Sequence, residues 1–394
     1  MSWAGVLREV RTMRFEDVYG RYQRGTLGCA EAADLLGMSE RNFLRYRSRY
    51  EAEGAEGLYD RRVGRVSGRR APVDEATQVI RLYATRYFDF NVKHVHETLV
   101  REHGLKRSYT WTKRVLQGAG QVVPAKSKGA HRRKRPRKAL PGIMLHQDGS
   151  SHEWVAGVVW DLIVTMDDAT SDIYSAFFVD EEGTLSSFQA LREVIQAHGL
   201  FGSLYADRGS HYWITKTAGQ GVDKQARTQV KRALDQLGIT LIPASCPEAR
   251  GRSERMFGTL QGRLPQELRT AGITTVAAAN RYLREVFLPA HNARFRVAAA
   301  AVGSAFTPYV GRDLGDILCL QEERLVGRDN CVSYKRLSLQ IPADRHRHHY
   351  VKASVRVHEY PDARLALFHG ARCLARFEAD GRLITEVVDA KSAA

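Results

Sequence analysis

The residues of this chain that could do chemistry are carboxylates placed at the ends of apolar runs. Asp148 closes the run from Gly142 to Gln147, Asp207 follows the short run through Leu204 and Tyr205, and Glu254 lies in a helix-forming stretch that starts near Arg250. A charge that follows an apolar strand is costly unless it is paired or bound to metal. Carboxylates at the ends of neighbouring strands can converge, because such strands lie about 4.8 Å apart. Clustered hard oxygen donors hold Mg²⁺. The chemistry open to such a cluster is in-line displacement at a phosphodiester, with one metal on the attacking oxygen and a second on the leaving oxygen.

Other acids compete for that role. Asp167 and Asp168 lie in MDDATSD, which reads as a turn in which Asp side chains bond nearby backbone. Asp161 falls within a strand run and is expected to face solvent, and Glu181 and Glu182 read as a solvated turn. His211, four residues after Asp207, fits either the metal site or an ordinary loop. The cysteines, Cys29, Cys246, Cys319, Cys331 and Cys373, are odd in number and never in C-x-x-C spacing, which argues against disulfides and structural zinc. His346, His348 and His349 lack supporting cysteines, and neighbouring strand positions point to opposite faces, so no metal site is expected there.

The elements that must position these acids follow from the apolar pattern. Runs at Gly142 to Gln147, Val158 to Met166 and Ile173 to Val179 read as successive strands. A helix at Thr184 to Ala197, a strand ending at Asp207, a helix at Lys224 to Leu237, a strand at Thr240 to Ala244 and the helix with Glu254 then follow. That order gives a mixed sheet with helices packed on it. After Asn292 period-two patterns at Leu337 to Ile341, Val351 to Tyr360 and Arg364 to Gly370 indicate a small β module.

Ahead of the sheet the chain is helical and basic. It has 394 residues and a net charge of +16, of which +15 falls in residues 1–140 and only +1 in the remainder. A basic binding module joined to an electrically balanced unit suits a polyanionic partner, double-stranded DNA. Around Ala30 to Leu36 a short helix meets Gly37 and a second helix capped by Ser39, the pattern of a helix-turn-helix. Phe43, Leu44 and Tyr50 are expected inside, with Arg41, Asn42, Arg45 and Arg49 free for base edges and phosphates. Helices near Asp74 to Tyr87, Val92 to His103 and Ser108 to Gly118 form a second such module, presenting Lys113 and Arg114. Ala125 to Lys138 carries eight basic residues and no acid. Arg132, Arg133, Lys134 and Arg135 within it suit an arm along a DNA backbone. No run approaches the length of a membrane span, so the expectation is a soluble protein of the cytoplasm, with no membrane partner.

The stretches LHQDGSSHEW, DLIVTMDDATSDIYSAFFVDEE, LYADRGSHY and PEARGRSERMFGTLQGRL occur in the order of the blocks of the integrase core. Over about residues 20–300 the chain resembles DDE-type insertion-sequence transposases and retroviral integrases, most closely the ISNCY group with tandem helix-turn-helix modules. The resemblance implies a multidomain architecture: all-α helix-turn-helix modules at 1–60 and 73–123, a basic linker at 61–72 and an arm at 124–140. It further implies a ribonuclease-H-like α/β core at 141–300 and a small C-terminal β-barrel at 301–394. It assigns Asp148, Asp207 and Glu254 to two Mg²⁺ or Mn²⁺ ions, and favours phosphate contacts for Arg208, Arg250, Arg252 and Arg255. The implied activity is cleavage and strand transfer at terminal inverted repeats by at least a dimer, the rival being a catalytically inactive, transposase-derived regulator. Forty-six residues separate Asp207 from Glu254, a wider gap than usual, which the segment Trp213 to Asp223 would explain as an inserted loop.

Spacing from Asp207 slightly favours Glu248 over Glu254 as third acid, but Ser253, Phe257, Leu260 and Leu264 form an inward stripe that holds Glu254 on a packed helix. Glu248 follows Pro247 at the helix entrance, where the helix dipole explains an acid. Glu254→Gln is therefore expected to abolish strand transfer, and Glu248→Gln to leave most of it. Side-by-side assays at equal DNA binding check this, and the reverse ranking would move the role to Glu248.

Overall fold

The computed structural model describes residues 3–60, 71–124, 135–214, 227–244, 247–343 and 347–384. Two compact units result, Met1–Thr77 and Gln78–Ala394. In the first, α1 (Trp3–Gln23), α2 (Cys29–Leu35) and α3 (Glu40–Glu53) enclose Phe15, Val18, Tyr19, Ala32, Ala33 and Phe43. Gly37, at φ +66°, makes the turn that an L side chain would resist. Ser39 caps α3 by accepting from Asn42 N at 3.4 Å.

The second unit opens with the helices α4 (Val73–Thr85), α5 (Val92–His103) and α6 (Tyr109–Gly118), close to their expected bounds. Asn91 and Ser108 cap the last two by accepting from His94 N and Trp111 N. Val79, Tyr83, Tyr87, Phe90, Val95, Leu99 and Leu116 form their core.

The central sheet comprises β1 (Met144–Val155), β2 (Val158–Asp167), β3 (Ile173–Val179), β4 (Ser203–Ala206) and β5 (Thr240–Pro243), in the order β3-β2-β1-β4-β5. The first three strands are antiparallel, and β4 and β5 join parallel to β1. On one face α7 (Thr184–His198) and α8 (Gln229–Leu237) bury Leu145, Leu191, Leu204 and Leu234. On the other, α9 (Pro247–Gln261), α10 (Leu264–Thr270) and α11 (Val276–Tyr282), which runs through a π turn into α12 (Leu288–Phe295), pack Phe257, Leu260 and Leu264 against Trp154, Trp160 and Phe178. The edge strand β3 is covered by side chains that imitate a neighbouring strand. Asn280 bonds both N and O of Phe178, and Asn292 both N and O of Ile173.

The remaining strands are β6 (Leu320–Leu325), β7 (Cys331–Tyr334), β8 (Leu337–Gln340), β9 (Ser354–Glu359), β10 (Leu365–His369) and β11 (Arg372–Phe377). They form a four-stranded sheet, β11-β10-β9-β6, and a β7–β8 hairpin around Val332, Leu339, Val357, Leu367 and Phe377. Among the described residues this sheet stays open, so the barrel expected from the sequence is not what the pairing gives. No helix among them is long and apolar enough to cross a membrane.

Candidate active site and DNA-facing helices

Asp148 does not end its strand. β1 continues to Val155 in a long hairpin with β2, where Asp148 lies opposite Val164. What ends there is the parallel pairing with β4, whose last pair is Gln147 with Ala206. The next step in register sets Asp148 beside Asp207, on the face that also carries His146 and Tyr205. Asp148 is nearly buried, and Asp207 turns its Oδ1 back to accept from Gly209 N at 2.8 Å. Both aspartates therefore take adjacent register positions where β4 leaves the sheet.

The helix α9 lies on that face. It starts at Pro247, earlier than expected, since proline suits a first helical turn whose N–H groups have no partner. Ser253, Met256, Phe257 and Leu260 are buried while Glu254, Arg255 and Gly258 are exposed. Two side chains fix the helix along β1: Arg252 bonds Asp168, and Gln261 donates to Ser150 Oγ at 3.0 Å. The side chains of Glu248 and Arg250, and the whole of Arg132, Arg133 and Lys134, lie outside the described residues. Among the described residues no three His, Cys, Asp or Glu side chains gather closely enough to hold one ion.

Asp167 bears out the turn reading: its carboxylate accepts from Gly142 N at 2.9 Å and from Thr170 N at 2.8 Å. Asp168 does more. It is wholly buried, and bonds His146 Nε2 at 2.8 Å, Lys138 N at 2.8 Å, Arg135 and Arg252. Arg135 and Arg252, read from the sequence as phosphate contacts, thus face an internal carboxylate. Glu182, read as a solvated turn, is half-buried instead, with His211 Nε2 at 3.4 Å from its Oε1. Arg208 is exposed on the turn after Asp207.

On α3, Arg41 and Arg45 are exposed and Asn42 is half-covered. Arg49 folds back to donate to Tyr59 O at 3.0 Å. Leu44, expected inside, is exposed, because it stands about 100° round the helix from buried Phe43. On α6, Lys113 and Arg114 are both exposed.

The helix-turn-helix domain family matches residues 20–65, the segment holding α2 and α3. A protein of Sinorhizobium fredii named as transposase y4bF is 30% identical over 359 residues, covering 90% of this chain and 78% of that protein. The chain belongs to the insertion-sequence transposases. The transposase for insertion sequence IS1202 of Streptococcus pneumoniae is 26% identical over 63% of this transposase chain, which spans 61% of that relative's length. Among solved structures, a chain of the simian T-cell lymphotropic virus intasome in complex with PP2A regulatory subunit B56 gamma has a TM-score of 0.33 at 13% identity, over 78% of this chain and 99% of that one. The HTLV-2 integrase catalytic core domain in complex with magnesium has a TM-score of 0.29 at 15% identity, over 37% of this chain and 87% of that one. Neither likeness is close enough to assign a residue.

In this transposase the charge on Asp168 is set by competing effects. Burial would push its carboxyl up, but hydrogen bonds from His146 and Lys138 N, with the field of Arg252, outweigh it and hold the carboxyl well below the usual range. Asp168→Asn leaves Arg252 and Arg135 without their counter-charge, and is expected to cost roughly 3–5 kcal/mol at neutral pH. The folded carboxyl titrates below its unfolded value of about 3.9, so its contribution is complete above that value and is lost as pH falls toward the folded one. Denaturant midpoints should therefore differ widely between wild type and Asp168→Asn at pH 7, and by less at pH 3.

Proposed function

We propose that this transposase cleaves and joins DNA at the face where Asp148 and Asp207 meet, with Glu254 as the third acid. The observation that carries the reading is the register of β1 and β4, which sets the two carboxylates side by side as the strands part. Their hard oxygen donors fit Mg²⁺ or Mn²⁺. When bound, two such ions supply Lewis acidity to the attacking and leaving oxygens of an in-line displacement.

The anchoring of α9 supports Glu254 over an acid elsewhere. Arg252 reaches the Asp168–His146 pair and Gln261 reaches Ser150, so the helix from 252 to 261 lies along β1 from 146 to 150. Nine helical residues rise about 13.5 Å and four strand residues about 13 Å, so the spans match without strain. Glu254 thus rides on the part of α9 that runs beside Asp148. Open space around Gly258, one turn on, gives a DNA backbone room to approach.

The parts divide the work as follows. Helix-turn-helix modules at 1–60 and 73–123 read the element's terminal inverted repeats through Arg41, Asn42 and Arg45 on α3 and Lys113 and Arg114 on α6. The arm at 124–140, with Arg208, Arg250 and Arg255 near the acids, steers the phosphate backbone. The core spans 141–300, and the open sheet of 301–394 serves a partner subunit or flanking DNA. Two element ends must be held together, so the working form is at least a dimer, acting at the bacterial nucleoid. The rival reading, an inactive DNA-binding regulator, predicts end binding without cleavage.

Asp148→Asn and Asp207→Asn remove charge with little change of shape, so end binding should survive while cleavage and strand transfer vanish. Wild-type binding should fall steeply with salt, and Ca²⁺ should support binding but little chemistry, because its longer, looser coordination misplaces the reacting oxygens. Full activity in either variant would remove the metal-dependent mechanism, and a wild type that binds ends without cutting them would establish the regulator.

A further inference from the structure

Glu182 lies in the turn between β3 and α7, far in sequence from both aspartates, yet its side chain reaches both segments of chain that carry them. Three separate contacts put it there. Its backbone N donates to Asp161 Oδ2 at 2.8 Å, which ties the turn to β2. Its Oε1 stands 3.4 Å from His211 Nε2, in the loop that begins at Asp207. Its Oε2 occupies the space that a Cβ on Gly149 would fill, next to Asp148 in β1. One side chain therefore touches the strand of one aspartate and the loop of the other.

A closely packed loop borders that carboxylate. His211 is mostly buried and packs on Tyr212, ring centroids 4.0 Å apart. Tyr212 is fully buried, and its hydroxyl accepts from Ser187 Oγ of α7 at 3.2 Å. Burial raises the Tyr212 pKa first, and the charges of Glu182, Asp207 and Asp148 raise it further, so all three carboxylates act on one buried hydroxyl. The His211 imidazole and Gly209, whose Cβ position lies 2.9 Å from Asp207 Oδ1 and 3.0 Å from His211 Cε1, close the loop tightly.

We infer that Glu182 is a positioning acid of the Asp148–Asp207 site: seated in the gap left by Gly149 and packed beside His211, it links the strand of one aspartate to the loop of the other and adds negative charge that draws a divalent cation to them. It is placed beside the pair rather than among the ligands, in keeping with the absence of a three-acid group among the described residues. A carboxylate in that place strengthens cation binding by orienting and polarising the groups that make the direct contact. The inference rests on the reading of Asp148 and Asp207 as cation ligands.

Gly149 supplies a test that leaves Glu182 itself intact. Its backbone is ordinary strand, so alanine is tolerated there, but the added methyl overlaps the far end of the Glu182 side chain and must displace it. Full-length wild type, Glu182→Gln, Gly149→Ala, the double variant and Asp148→Asn are titrated with Mn²⁺ in the absence of DNA, free ion being read by electron paramagnetic resonance. Circular dichroism and metal-free Tm confirm the fold of each. Glu182→Gln and Gly149→Ala are each expected to weaken Mn²⁺ binding by about 10- to 100-fold. The Mg²⁺ needed for half-maximal strand transfer should rise in parallel, with activity recovered at high Mg²⁺. The double variant should bind no more weakly than the worse single one, because both remove the same contact. Wild-type Mn²⁺ binding in Glu182→Gln with loss in Asp148→Asn would overturn this inference alone. Additive losses in the double variant would overturn it too, while wild-type binding in Asp148→Asn would sink the parent reading with it.

Discussion

The part of the molecule built on the five-stranded sheet is organised around one buried charge. Asp168 has no exposure to solvent, and a carboxylate stripped of water costs several kcal/mol unless cations and N–H groups replace the hydration. Those replacements come from separate pieces of chain: Arg135 and Lys138 N from the basic stretch before the sheet, His146 from β1 and Arg252 from α9. Arg137 adds bonds to the Asp168 and Ala169 carbonyls at 2.9 and 3.3 Å. Residues 135–138, β1 and α9 are thereby locked to the β2–β3 turn. The neighbouring Asp167, facing backbone N–H groups, merely closes that turn. Adjacent aspartates thus have different tasks because their surroundings differ.

A second polar seam ties the α4–α6 helices to the core. His94 meets Glu267 at 3.0 Å, Arg263 meets Glu97 at 2.9 Å, and Asn91 donates to Gly262 O at 2.9 Å, while Arg269 bonds Asp89 and Arg86 O. All these core partners lie at the end of α9 or on α10. The basic face of α6 and the acid-bearing helix are therefore parts of one framework. On the proposed function, that framework would present DNA bound at Lys113 and Arg114 to the aspartates in a fixed register.

Local pattern in the sequence carried much of this. The helices α5 and α6 have strong apolar stripes and capping residues, Asn91 and Ser108, at their starts, and their bounds agree with expectation to within a residue. The order of the core strands and the inward stripe of α9 were equally readable. The run Gly149 to Glu153 hid the second half of β1, because its polar residues face solvent across a hairpin and resemble a turn. α1 was not recognised, since Leu7, Val10 and Met13 in its first half are exposed and give no buried stripe. The structural role of Asp168 is readable in its turn, but its partners are not, and the partial burial of Glu182 is not readable at all. Asp168 draws on residues 30 or more positions away in the arm and 84 away on α9, and Glu182 on a missing Cβ across the sheet. Composition near a residue does not report partners at that range.

The central claim, that Asp148 and Asp207 form a divalent-cation site with Glu254 beside them, is tested most directly by replacing Mg²⁺ with Fe²⁺ and mapping where bound iron cuts the polypeptide by hydroxyl radical. Cuts clustered near residues 148, 207 and 254, competed by Mg²⁺ and lost in Asp148→Asn, are the expected result. Cleavage confined to other segments, or unchanged by Asp148→Asn, would contradict the account.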